Sequence, residues 1–295
     1  MTSGTLTLHA IADQLAPELD RRRLADLHER LPADAPIDWR AVAAIAALAL
    51  GNKRCVGLSG GQGAGKSTLA ALIAQAAALA GRTAAVCSLD DFYLAKRARL
   101  QLARTIHPLL ATRGPPGTHD LALALAVLDD VLAGRSTRLP RFDKGRDEPC
   151  PRTQWPVAES VDTLIFEGWC LGVEPQPEAM LRSPVNRLEA EEDRDGRWRA
   201  YVNAACARYV RLWQRVDWWI YIEVPDMGAV RRWRMAQERS NVPEAAPHLR
   251  MSEAQLDRFI AHYERLTQWQ QSNFATRADW RLRLDQDHRV VLPEL

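Results

Sequence analysis

Residues Gly60-Gly61-Gln62-Gly63-Ala64-Gly65-Lys66-Ser67 match G-x-x-x-x-G-K-[ST], and every fixed position has a chemical reason. Glycines let the backbone curl into a nest whose N–H groups face phosphate oxygens, and the following helix adds the positive end of its dipole. Lys66 is placed to reach the β- and γ-phosphates, the Ser67 hydroxyl to hold Mg²⁺, and Thr68 follows on the same helix. The flanks agree: 54–59 (RCVGLS) reads as a short buried strand and 68–75 (TLAALIAQ) as a helix, a context that a chance Gly-rich turn lacks. The segment implies binding of a nucleoside triphosphate.

Three carboxylates accompany it. Asp90 and Asp91 leave the apolar run 83–89 together, and Glu167 leaves the run 163–166. Phosphoryl transfer to a hydroxyl needs Mg²⁺ near the β- and γ-phosphates and a group to accept the alcohol proton. Glu167 is placed as the metal carboxylate and Asp90 as the proton acceptor, while an Asp-Asp pair also suits a solvated turn or a helix cap. Asp91 and Tyr93 lie beside Asp90 and are further candidates for contact with an acceptor. Farther on, Arg231 and Arg234 are three apart, which predicts one face of a lid helix turned toward the transferring phosphate. An arginine-rich solvated face would show the same spacing.

Two turn-rich loops fall between the second and third strands, where an acceptor should lie. The first carries Arg113, His119 and Asp120, and the second Arg141 and Lys144. Arg113, Arg141 and Lys144 suit an anionic acceptor, a bidentate arginine matching a carboxylate. His119 beside Asp120 is also the pattern of a structural hydrogen-bond pair. The acidic run 191–196 resembles the start of a calcium loop, but its twelfth position would be Val202, which supplies no carboxylate, so calcium is rejected.

The elements that must position these residues alternate. Strands are expected at 54–59, 83–89, 163–166, 217–223 and 280–284, with helices at 68–75, 122–132, 227–238 and 252–271. Such alternation implies an α/β fold with a doubly wound, mainly parallel sheet and helices on both faces, whose ligands bind at the carboxyl ends of the strands. Residues 1–50 read as an N-terminal helical extension before a 51–295 domain, with the lid at about 226–250.

Composition narrows the class. A net charge of +2 gives no basis for a nucleic-acid or membrane-surface partner. Lysine occurs only at Lys53, Lys66, Lys96 and Lys144, so a lysine kept in the phosphate loop is informative where arginine carries the other positive charge. Cys55, Cys87, Cys150, Cys170 and Cys206 show no C-x-x-C spacing, which argues for reduced thiols rather than disulfides or zinc. The longest apolar run, 41–50, is too short to span a bilayer, and no export signal is visible. A soluble, cytoplasmic protein is expected.

The phosphate loop, the 88–93 strand end (SLDDFY), the 162–168 strand with its Glu-Gly, and the arginine-bearing helix resemble the phosphoribulokinase, uridine kinase and pantothenate kinase group. Within it, the chain is most similar to the plant- and fungal-type D-glycerate 3-kinases and their bacterial relatives. The segments that carry this are 112–114 with 118–120, 140–144, 166–172, 186–203 and 233–238; the first 50 residues are not covered. The resemblance implies a P-loop fold, ATP, Mg²⁺ and transfer of the γ-phosphoryl to a small hydroxy acid. It also implies Asp90 as base, Glu167 as metal carboxylate and Arg234 as lid arginine. Kinases of another acceptor (a pantothenate-like acid, a nucleoside or a sugar) and a non-enzymatic nucleotide switch are the alternatives. A guanine-specific switch would carry Asn-Lys-x-Asp, and Asn52-Lys53 lacks the Asp.

Overall fold

The computed structural model describes residues 3–241 and 251–291. The chain opens on helices α1 (Ser3–Leu15), α2 (Arg21–Arg30) and α3 (Ile37–Ala49), and then enters strand β1 (Cys55–Gly60) and helix α4 (Lys66–Leu79). There follow β2 (Ala84–Ser88), α5 (Lys96–Thr105) and α6 (Leu121–Leu132). Short strands β3 (Thr137–Arg138), β4 (Phe142–Asp143), β5 (Glu148–Pro149) and β6 (Val157–Ala158) lead to β7 (Thr163–Gly168). Helices α7 (Arg187–Glu192) and α8 (Arg197–Trp213), strand β8 (Trp218–Glu223), helices α9 (Met227–Asn241) and α10 (Glu253–Asn273), and strands β9 (Trp280–Leu284) and β10 (Val290–Val291) complete it.

Six strands form one sheet in the order β10-β9-β8-β1-β7-β2, parallel except for the β9–β10 edge pair. Alternation within the strands divides the apolar core in two. Val56, Leu58, Ile165, Ile220 and Ile222 pack on one face with α3, α4 and α9, while Leu164 and Phe166 pack on the other with α6 and α8. This is the doubly wound α/β arrangement implied by alternating strands and helices.

Register places the chemistry. β1 and β7 pair Leu58 with Glu167 and Ser59 with Gly168, and β2 brings Ser88 opposite Glu167. The β1, β2 and β7 strands therefore deliver the phosphate loop, Asp90 and Glu167 to one edge. The N-terminal helices pack beside that edge. Helix α3 is buried almost all round, from Ala41 to Ala47, because it lies between α1 and α2 on one side and α4 on the other. The short ribbons β3–β6 and β4–β5 and the helices α7 and α8 carry no expectation from the sequence. The 242–250 part of the expected lid lies outside the described residues. No described helix is long and apolar enough to cross a membrane.

Candidate active site

The loop between β1 and α4 is shaped by its glycines. Gly65 has φ +81°, in the left-handed region, and a Cβ there would lie 2.6 Å from the Trp39 ring. At the head of α4, Lys66 is 9% exposed and its Nζ donates to the Gly61 carbonyl oxygen at 2.8 Å. Burial lowers the Lys66 amine below its ordinary range, with the charges of Glu167 and Asp90 opposing that shift. The Ser67 hydroxyl donates to Glu167 Oε1 at 2.9 Å, while Thr68, next along the helix, is exposed. Glu167 is itself 5% exposed and its carboxyl is pushed up, first by burial and then by nearby Asp90, against the pull of Lys66. A hydroxyl and a carboxylate held together beside a phosphate loop are hard oxygen donors. They fit Mg²⁺, which takes one or two protein oxygens and completes its shell with phosphate and water.

Asp90 and Asp91 diverge at the end of β2, where a single helical turn over Leu89–Phe92 is capped by Ser88. The Asp90 carboxylate faces the cavity and accepts from Lys144 Nζ at 2.7 Å. Burial raises its pKa, but the Lys144 charge and hydrogen bonds from Lys144 and Tyr93 outweigh that and hold it below the usual carboxylate range. Asp91 points the other way. Its Oδ1 accepts the Phe142 N–H at 3.0 Å and its Oδ2 accepts from Arg141 at 3.1 Å. Asp91 and Arg141 thus anchor the β4 segment that presents Lys144, two residues on, to Asp90.

Arg113 lines the cavity and pairs with Asp147, which Arg99 grips from the buried side at 2.6 Å. Burial raises the Asp147 carboxyl, but the two guanidinium groups more than offset this and hold it down. His119 and Asp120 stand behind this wall. Asp120 caps α6 through the Leu123 N–H at 3.0 Å. His119 Nδ1 lies 2.7 Å from the Tyr209 hydroxyl, and its ring sits 4.8 Å from that of Tyr93. Burial lowers the His119 imidazole to about 4, so the ring is neutral at physiological pH.

The opposite wall comes from α9 and α10. Arg234 lines the cavity, donates to Gln237 Oε1 at 2.8 Å and lies 5.6 Å from the centre of the Phe259 ring. Arg231 turns instead to α10, where it pairs with Asp257 and Glu253. Helix α10 is tethered from behind. The buried Arg265 guanidinium meets both Glu189 oxygens at 2.7 and 2.6 Å, Arg258 meets Glu192, and Asn186 donates to the Ala261 carbonyl oxygen at 2.9 Å. The acidic and aromatic stretch 186–203 therefore supports the wall rather than forming it.

Between the walls lies a cavity of about 640 Å³. The structure brings to it, from the expected residues, Gln62, Gly63, Lys66, Ser67, Asp90, Tyr93, Arg113, Lys144, Glu167 and Arg234. Asp91, His119, Asp120, Arg141 and Arg231 support it from outside. Residues that the motifs did not single out also line it, among them Tyr263, Phe259 and Met251. Tyr263 donates to the Arg113 carbonyl oxygen at 2.8 Å and meets Trp169 edge-on, joining α10 to the acceptor-side loop. Its only signal in the sequence is an aromatic four residues after Phe259 on an amphipathic helix, which is equally the mark of a core position.

No family model matches the chain. Over 224 residues it is 32% identical to the kinase mug58 of Schizosaccharomyces pombe, a match covering 70% of this chain and 77% of that protein. It is 28% identical over 220 residues to the chloroplastic D-glycerate 3-kinase of Arabidopsis thaliana, covering 70% of this chain and 45% of that one. Among solved structures, the D-glycerate 3-kinase of Cryptococcus neoformans shares the fold, with a TM-score of 0.68, 23% identity, and coverage of 100% of this chain and 99% of that one.

Proposed function

The chain belongs to the family of P-loop kinases that includes mug58 and the Arabidopsis D-glycerate 3-kinase, and from that premise we propose that it transfers the γ-phosphoryl of ATP to the C3 hydroxyl of D-glycerate. The observation that carries the acceptor assignment is the pairing of charges in the cavity. Asp90 shares its wall with two cations: Lys144, paired with Asp90 itself, and Arg113, held by the Asp147 that Arg99 anchors. A small acid that presents a hydroxyl to Asp90 would find a counter-charge for its carboxylate a few ångströms away.

Each residue then has a role. The loop amides, the N-terminus of α4 and Lys66 cradle the β- and γ-phosphates. Ser67 and Glu167 would hold Mg²⁺, which would supply neutralising charge to the triphosphate. Arg234 stabilises charge on the phosphoryl group in transit. Asp90, ionised, accepts the proton of the C3 hydroxyl; the freed oxygen bonds to the γ-phosphorus as the bond from that phosphorus to the β,γ-bridging oxygen breaks, and ADP leaves. Arg113 and Lys144 bind the acceptor carboxylate, and Tyr93 supports Asp90 through its hydrogen bond. Catalysis of this kind is mostly positioning and charge stabilisation.

The test is ADP release from Mg-ATP with D-glycerate, set against a pantothenate-like acid, nucleosides, neutral sugars and glycerol. Strong stimulation by D-glycerate with little by glycerol is expected, because glycerol keeps the hydroxyl and loses the carboxylate. Equal stimulation by neutral acceptors would remove the carboxylate from the account.

A further inference from the structure

The N-terminal helices reach the nucleotide loop through one side chain. Trp39, in the first turn of α3 and 5% exposed, fills the space beside Gly65. Its indole Nε1 donates to the His288 carbonyl oxygen at 2.9 Å. Its neighbour Asp38 accepts the Val290 N–H at 2.6 Å, so the start of α3 grips the β9–β10 turn at two points.

That grip has a consequence at the loop. His288 stands at φ +63°, a conformation uncommon outside glycine, and its ring is turned onto the phosphate-binding segment. A carbonyl can only accept, so Nε2 carries a proton and donates to the Gly63 oxygen, 2.7 Å away. The peptide from Gly63 to Ala64 is trans, so holding its carbonyl outward aims its N–H into the loop. There the Ala64 N–H meets the Gly61 oxygen at 3.3 Å, the same oxygen that Lys66 takes, so the braced peptide belongs to the loop's own hydrogen-bond set. The same imidazole stacks on Trp233 of α9, with ring centres 3.7 Å apart and planes 24° apart. Arg234 is the next residue of that helix.

We propose that Trp39 and His288 are positioning residues for the nucleotide, a brace by which α3 fixes the amide orientation of the phosphate loop and ties it to the helix carrying Arg234. The N-terminal helices are then part of the nucleotide site's working structure and more than a cap on the core. The proposal rests on nucleotide binding at this loop and is independent of the acceptor's identity, so failure of D-glycerate as substrate leaves it standing.

The experiment measures Mg-ATP affinity directly by calorimetry in Trp39→Phe and His288→Asn, with melting temperature and the KM for D-glycerate beside it. Phenylalanine keeps most of the ring against Gly65 and loses the indole N–H; asparagine tolerates the left-handed backbone and loses the stack. Each variant is expected to bind Mg-ATP about five- to tenfold more weakly, the value of one or two hydrogen bonds, with acceptor KM little changed. Wild-type affinity in both variants, with only the melting temperature lowered, overturns the proposal. Hydrogen exchange on the unmodified protein gives a second reading that needs no variant. Mg-ADP should slow exchange at 37–42 and 286–291 as well as in the loop, and protection confined to the loop overturns the brace.

Discussion

Replacing Lys144 by glutamine isolates the charge that governs Asp90. The ammonium lies 2.7 Å from Asp90 Oδ2, with the lysine side chain 60% exposed and the aspartate 26%. Two unit charges about 4 Å apart interact by about 1 kcal/mol in water and about 4 kcal/mol at an effective dielectric near 20. The exposure of Lys144 draws its contribution to the lower part of that range, about 1–2 kcal/mol. At about 1.4 kcal/mol per pKa unit, the Asp90 carboxyl should rise by about one unit. Burial, which Lys144 and the Tyr93 hydrogen bond together outweigh in the native site, then meets less opposition. Tyr93, Lys66, Glu167 and the neutral His119 still face Asp90 and keep their places. Asp90 must be ionised to take the acceptor proton, so the acidic limb of the kcat/KM profile moves to higher pH by about one unit. The KM for D-glycerate should rise in the same variant if Lys144 binds the acceptor carboxylate as proposed. Coupled ADP-release assays across the acidic and neutral range give both quantities. An active variant whose acidic limb stays where the wild type has it would refute the assignment of Asp90 as the base under Lys144 control.

Asp90→Asn should lower turnover by about 10²-fold or more while Mg-ATP binding, measured by calorimetry, is kept; near-normal turnover contradicts the role. Glu189→Gln leaves the Arg265 guanidinium buried opposite a neutral amide, and should cost about 3–5 kcal/mol in urea denaturation. An unchanged midpoint would show that the Glu189–Arg265 pair does not hold α10. His119 and His262 are each lowered to about 4 by burial, so the unfolded chain binds more protons than the native one below pH about 6.5. Stability should therefore fall as pH drops from about 6.5 toward 4, by on the order of 3 kcal/mol per imidazole. Denaturation midpoints in that window, compared with those of a His119→Gln, His262→Gln double variant, check the sign and the size.

What the sequence reveals of this molecule follows from how local the chemistry is. The phosphate loop is legible because a phosphate imposes glycines, a lysine and a hydroxyl on consecutive positions. Asp90 and Glu167 are legible because parallel strands end together, and register then brings Ser88 and Leu58 beside Glu167. Spacing alone leaves Arg231 and Arg234 equivalent. They separate because α10 offers Asp257 and Glu253 to one and Phe259 to the other. His119 looks free for chemistry until a partner 90 residues later, Tyr209, closes on it. The stretch 186–203 is distinctive for a structural reason. Glu189 and Asp193 are fully buried acids paired with Arg265 and Arg199, and loss of either partner alone would strand a buried charge. Trp39 has no sequence signal at all, since its partners Gly65 and His288 are defined only by the fold.

The most direct test of the central claim is the identity of the product formed from Mg-ATP and D-glycerate, read by mass and by the ³¹P coupling that locates the phosphate. Stoichiometric ADP and 3-phosphoglycerate are expected, with the same product formed about 10²-fold or more slowly by Asp90→Asn. Phosphate on the C2 oxygen, or ADP released without a phosphorylated acid, would contradict the claim.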